Sequence, residues 1–71
     1  MKKFLPLDSE MVLAARYDEE TQTLEMIFRT GEKYRYLNVP KFEYEGLLAS
    51  ESHGQYMHKR IFGKFNYERM D

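Results

Sequence analysis

Alternation is the first clear pattern along the chain. Leu24, Met26 and Phe28 alternate with Glu25 and Arg29, the period of two that a half-buried strand requires, so a strand is predicted over 23–29. Ile27 interrupts the polar face, which predicts partial cover on that side too. Lys33 and Arg35 alternate with Tyr34 and Tyr36, predicting a strand over 33–37. Upstream, residues 11–17 read as a first strand with Met11, Leu13, Ala15 and Tyr17 on one face. The polar run Asp18 to Gln22 and the turn Thr30-Gly31-Glu32 are short enough to close hairpins. The glycine supplies a backbone conformation that other residues resist. These segments predict a three-stranded antiparallel meander with one apolar face to cover.

The period then changes. Pro40 suits the first position of a helix, where its missing N–H is of no consequence. Tyr44, Leu47 and Leu48 follow at i, i+3 and i+4, the spacing of one buried stripe. Gly46 costs such a helix about 1 kcal/mol relative to alanine, so packing must hold it. Ser52-His53-Gly54-Gln55 has the form of a capping box and predicts a second short helix. Tyr56, Met57, Arg60 and Ile61 would share one side of it, with Gly63 as its stop. Residues 64–71 read as irregular or as a short closing strand. The expected fold is therefore α+β, a three-stranded antiparallel meander covered by two short helices, in one domain spanning residues 1–71.

Composition narrows the function classes. A chain of 71 residues buries only roughly 60% of the surface its unfolded form exposes. With no cysteine, it has neither disulfides nor thiolate metal ligands, and packing alone must hold it. Six tyrosines and five phenylalanines supply that packing. No stretch approaches the roughly 18 apolar residues that span a bilayer. Met1-Lys2-Lys3 is followed only by Phe4 and Leu5 before Pro6, which is no export signal. A cytoplasmic protein without membrane association is the expectation.

The search for chemistry points away from catalysis. No known local signature surrounds the serines, and Ser50 and Ser52 read as helix caps rather than nucleophiles. His53 and His58 lie five apart, rotated roughly 140° on a helix, so they share no metal face. Asp18-Glu19-Glu20 falls in a turn, and the four glycines are isolated, without a phosphate loop. No catalytic residue, metal or cofactor is expected.

One cluster is left. Residues 1–51 carry seven Lys or Arg against ten Asp or Glu, whereas residues 52–71 carry four against two. From Ser52 to Tyr67 no acidic side chain occurs. Within this stretch Tyr56, His58, Lys59, Arg60, Phe62, Lys64, Phe65, Tyr67 and Arg69 interleave. Cations that meet phosphates beside rings that stack on unpaired bases are how single-stranded nucleic acid is held. The plain alternative is that the rings are core and that Lys59 and Arg60 favour a helix end, and composition leans that way. Tyr34 and Tyr36, two apart on a strand, point to one face. They either pack beneath the helices with hydroxyls at the rim or form a stacking platform on an open sheet face.

The order of these pieces resembles the KTSC domain, named for the C-terminus of certain lysyl-tRNA synthetases and found also as stand-alone bacterial and phage proteins. The matching residues begin with Leu7-Asp8-Ser9-Glu10-Met11, Tyr17-Asp18 and Thr21-Gln22-Thr23-Leu24. Phe28, Gly31, the central Tyr34-Arg35-Tyr36 and Val39-Pro40 follow. Tyr44, Leu47-Leu48, Ala49-Ser50, Ser52-His53-Gly54-Gln55-Tyr56, Lys59 and Ile61 complete the likeness, which covers about residues 7 to 67. Met57-His58 replaces a more usual aromatic-Asn pair. Asp8 stands where the family has the first Ser of a Ser-Ser pair, which weakens any role of that segment in phosphate contact. The resemblance implies a protein of unestablished function with RNA binding as the suggested role. The expectation is a non-enzymatic module binding RNA or single-stranded nucleic acid through Tyr34, Tyr36, Tyr56, Lys59, Arg60 and Lys64. The alternatives are a protein-interaction or accessory module, monomeric or dimeric, acting through an exposed sheet edge, and, third, a small enzyme or a sensor of a small nucleotide, motivated only by the His and Ser residues near 50–58.

Overall fold

A computed structural model describes residues 3–70. Five antiparallel strands form one sheet in sequence order: β1 (Leu5–Pro6), β2 (Val12–Asp18), β3 (Thr23–Phe28), β4 (Lys33–Tyr36) and β5 (Tyr67–Met70). Helix α1 (Lys41–Ala49) and the short α2 (His53–Tyr56) lie between β4 and β5. The latter runs straight into a π-helical turn, Met57–Ile61. The fold is α+β as expected, but the sheet has five strands rather than three. Leu5–Pro6 pairs with Ala14 and Ala15, and two residues including a proline are too few to show alternation. At the other end Tyr67–Met70 pairs with β4, so the short closing strand is the correct reading of the tail.

The register sorts side chains into rows. Tyr17, Leu24, Tyr36 and Tyr67 stand side by side across four strands, as do Ala15, Met26, Tyr34 and Arg69. These rows face the helices. Tyr17, Leu24, Met26 and Tyr36 join Leu47, Met57 and Ile61 in one buried core. On the opposite face Arg16, Glu25, Arg35 and Glu68 make a row of alternating charge. Arg16 is ion-paired to Glu25 and Arg35 reaches toward Glu68. Unlike charges opposed across strands stabilise each pairing, and a slip of one residue would bring the rows to the wrong face.

Strand β2 departs from the expected alternation. Pairing shifts between Val12 and Ala14, so Leu13 is the extra residue of a β-bulge. The bulge turns Val12 inward, where it is fully buried, and leaves Met11 and Leu13 exposed; only Ala15 and Tyr17 of the predicted face are core. A bulge reverses the in–out parity of every residue before it.

The helices also depart in part. Pro40 caps α1 from just outside it in an extended conformation. Leu47 is buried and Tyr44 stacks on Tyr17 at 5.3 Å, but Leu48 is exposed and Glu43 is buried in its stead. In α2 the Ser52 hydroxyl accepts the Gln55 backbone N–H at 3.2 Å, as the capping pattern predicts. The helical segment ends at Phe62, and Gly63 (φ 77°) turns the chain away.

Candidate nucleic-acid interface

The cationic stretch is shaped by the π-helical turn. Met57 and Ile61 are fully buried, and the Phe62 N–H donates to the Met57 carbonyl at 2.8 Å, one residue wider than an α-helical bond. Two anchors four apart, with the backbone widened between them, push His58, Lys59 and Arg60 out to solvent. Such insertions recur at functional sites because they re-aim consecutive side chains. Lys64 follows Gly63 and is also exposed. Among the described residues Lys59 and Lys64 have no ion-pair partner. Arg16, Lys41, Arg60 and Arg69 each have one.

Tyr56 and Arg60 are brought together, but by an internal demand. Both reach Glu43, which is 6% exposed. The Tyr56 hydroxyl donates to one carboxylate oxygen at 2.7 Å and an Arg60 terminal nitrogen donates to the other at 3.2 Å. Burial raises the Tyr56 pKa, and the bond to Glu43 adds to it. A buried carboxylate needs such partners, since an uncompensated one costs several kcal/mol. The same contact accounts for Gly46. A methyl group there would overlap the Tyr56 hydroxyl and stand 2.8 Å from its Cζ. Neither Glu43 nor Gly46 is marked by periodicity, because a charged residue on a short helix reads as solvent-facing.

The two strand tyrosines point to the helix side and form no platform on the open sheet face. Tyr36 is 6% exposed, its ring packed against Phe62 and Tyr67 with centroids 5.9 and 5.6 Å away. Burial, with Tyr67 and Tyr34 nearby, pushes its phenol up to about 12. Tyr34 is half-buried between Phe28 and Tyr67, edge-on to each. Tyr36 offers no open face to a base, and Tyr34 is only partly accessible. Tyr67 offers one: it closes the inner aromatic row at the sheet's edge and is 62% exposed. It belongs to the interleaved cluster, but its freedom depends on β5 being last in the sheet.

The histidines are apart. His53 Nδ1 accepts the Asp8 backbone N–H at 2.9 Å, whereas His58 meets the Phe62 ring edge-on at 5.2 Å. Among the described residues no three His, Cys, Asp or Glu side chains gather as metal ligands, and no helix is long and apolar enough to cross a membrane.

Comparison with known proteins places this arrangement in a family. The KTSC domain model matches residues 8–65. A crystal structure of a KTSC domain protein from Yersinia pestis superposes with a TM-score of 0.92 at 29% identity, over 97% of each chain. A protein from Tsukamurella paurometabola is 35% identical over 84% of this chain and 90% of its own length. A lysine–tRNA ligase from Trichormus variabilis is 49% identical over 78% of this chain, and one from a Nostoc species is 41% identical over 89%. The chain spans only about a tenth of the length of these ligases, 10% and 11% respectively. With the family match running through β2 to β4, both helices and the cationic turn, the chain belongs to the KTSC domain family.

Proposed function

We propose that this domain binds single-stranded RNA without catalysing a reaction. Lys59 and Lys64 meet phosphates, Arg60 adds charge at the rim, and the open ring of Tyr67 receives a base. The observation that carries the reading is the pair of exposed cations without ion-pair partners among the described residues, Lys59 held outward between the buried Met57 and Ile61 and Lys64 just past Gly63. Unpaired cations and an exposed ring on one domain supply the two attractions that hold single strands. The tRNA ligases among the relatives support the choice of RNA, since their name gives tRNA as what those enzymes act on. Tyr34, Tyr36 and Tyr56 then act from behind, as the packed bed beneath Tyr67 and the turn.

The test is an NMR amide titration with a pool of short single-stranded RNAs at two salt concentrations. Three phosphate contacts predict an affinity loss of roughly 20-fold between 50 and 200 mM salt. Lys59→Glu with Lys64→Glu should abolish binding and leave the fold intact, because neither lysine is buried or ion-paired. Arg60 is left in place, since its loss would strand Glu43. Binding that ignores salt or survives the double substitution refutes the reading. No response to RNA, with concentration-dependent shifts confined to the outer edge of β5 in the protein alone, would move the assignment to a second chain that adds a strand there.

A further inference from the structure

An open groove of about 690 Å³ lies between the loop Asp8–Met11 and the α2 segment, lined by Asp8, Glu10, Arg29, Ser52, Gln55 and His58 among others. The proposed strand contacts do not use it. Its walls are held by backbone bonds. The Asp8 N–H donates to His53 Nδ1. The Ser9 hydroxyl accepts the N–H groups of Met11 and Val12, and Arg29 Nε donates to the Ser9 carbonyl at 2.7 Å. What these bonds leave over is informative. Among the described residues the carboxylates of Asp8 and Glu10 have no hydrogen-bond or ion-pair partner, and Arg29 uses only Nε. Unlike charges thus line one groove without neutralising each other, whereas Arg16 and Glu25 on the open sheet face do pair.

Gly54 is a second, independent sign. Its backbone is not left-handed, and a methyl group there would meet only Ser9 Oγ, at an ordinary 3.7 Å. Glycine in a helix costs about 1 kcal/mol relative to alanine, and at Gly54 neither packing nor turn geometry requires it. What it supplies is space in the groove. Gly46, by contrast, is required by Tyr56.

We infer that the groove receives one ribonucleotide unit, its phosphate at Arg29 and His58 and its sugar hydroxyls donating to Asp8 and Glu10. A carboxylate repels phosphate and can only accept, so the acidic wall needs a donor, and the ribose hydroxyls are donors within a nucleotide's span of its phosphate. The 2′-hydroxyl is the group by which a protein distinguishes RNA from DNA. The groove is thus the element that confers ribose preference, with His58 leading the strand toward Lys59. The strand context rests on the RNA reading above; the nucleotide site itself rests on the groove.

The experiment separates the two by titrating with mononucleotides. Adenosine 5′-monophosphate should shift the amides of residues 8–11 and 52–58, and its 2′-deoxy counterpart should bind at least about tenfold more weakly, the worth of one hydrogen bond to a charged group. Gly54→Leu should abolish the response by filling the groove. Asp8→Ala with Glu10→Ala, both exposed, should erase the difference between the two sugars. Absent groove shifts with adenosine monophosphate, or equal affinity for both nucleotides, overturns the inference, whatever longer strands do. Mononucleotide binding in the groove without any RNA binding keeps the site, reassigns it to a free nucleotide, and refutes the RNA reading alone.

Discussion

Replacing Gly46 by alanine sets two well-known effects against each other. Alanine in a helix interior favours the helix by about 1 kcal/mol over glycine, so Gly46→Ala should stabilise α1 if helix propensity alone decided. The added methyl would overlap the Tyr56 hydroxyl and lie 2.8 and 3.1 Å from two ring carbons, distances a rigid contact cannot tolerate. Tyr56 must then withdraw and release Glu43. A hydrogen bond to a charged group contributes about 1.5–3 kcal/mol, and overpacking adds about 1–3 kcal/mol. Against the helix gain, the net loss is about 3 kcal/mol. In a domain of this size that lowers the melting temperature by roughly 12–24 °C. Thermal unfolding followed by circular dichroism reads it directly. The control is the same substitution in a Tyr56→Ala background, where the obstacle is gone and Gly46→Ala should raise stability by about 1 kcal/mol. The reversal of sign is the signature. If Gly46→Ala stabilises the wild-type protein too, the Tyr56 contact does not explain the glycine.

Two further outcomes follow from the same physics. Glu43→Ala removes the acceptor shared by Tyr56 and Arg60 and should cost about 2–3 kcal/mol, while Glu43→Gln retains an acceptor for Tyr56 and should cost about half as much; urea midpoints at unchanged slope measure both. The Tyr36 phenol, raised to about 12 by burial, against about 10 in the unfolded chain, keeps its proton in the folded state while the unfolded state releases it. Stability from this source is therefore intact below about pH 10 and falls by up to roughly 3 kcal/mol as pH rises toward 12. Tyr36→Phe should flatten part of that fall, and an identical decline in the variant would refute the assignment. Tyr17, Tyr44 and Tyr56, also raised mainly by burial, account for the remainder.

What the sequence determined by itself is what depends on near neighbours. Alternation from Leu24 to Phe28 and from Lys33 to Tyr36 specifies strands because side-chain direction is set residue by residue. Ser52 specifies a helix start because its hydroxyl reaches only the backbone three residues on. The order of these pieces carried the family likeness, which the match over residues 8–65 bears out. Tertiary structure decided what distant segments must agree upon. The bulge in β2 exists because Val12 has to pair with Phe28 and still face the core. Glu43 is buried because Tyr56 and Arg60, 13 and 17 residues further on, satisfy it. The candidate site divides along the same line. Lys59 was legible because a charge run between apolar anchors must face water, and Lys64 because it follows the glycine that ends the helix. Which tyrosine is open was not, since Tyr36 and Tyr67 are neighbours in one row and only the last strand of a sheet leaves its ring uncovered.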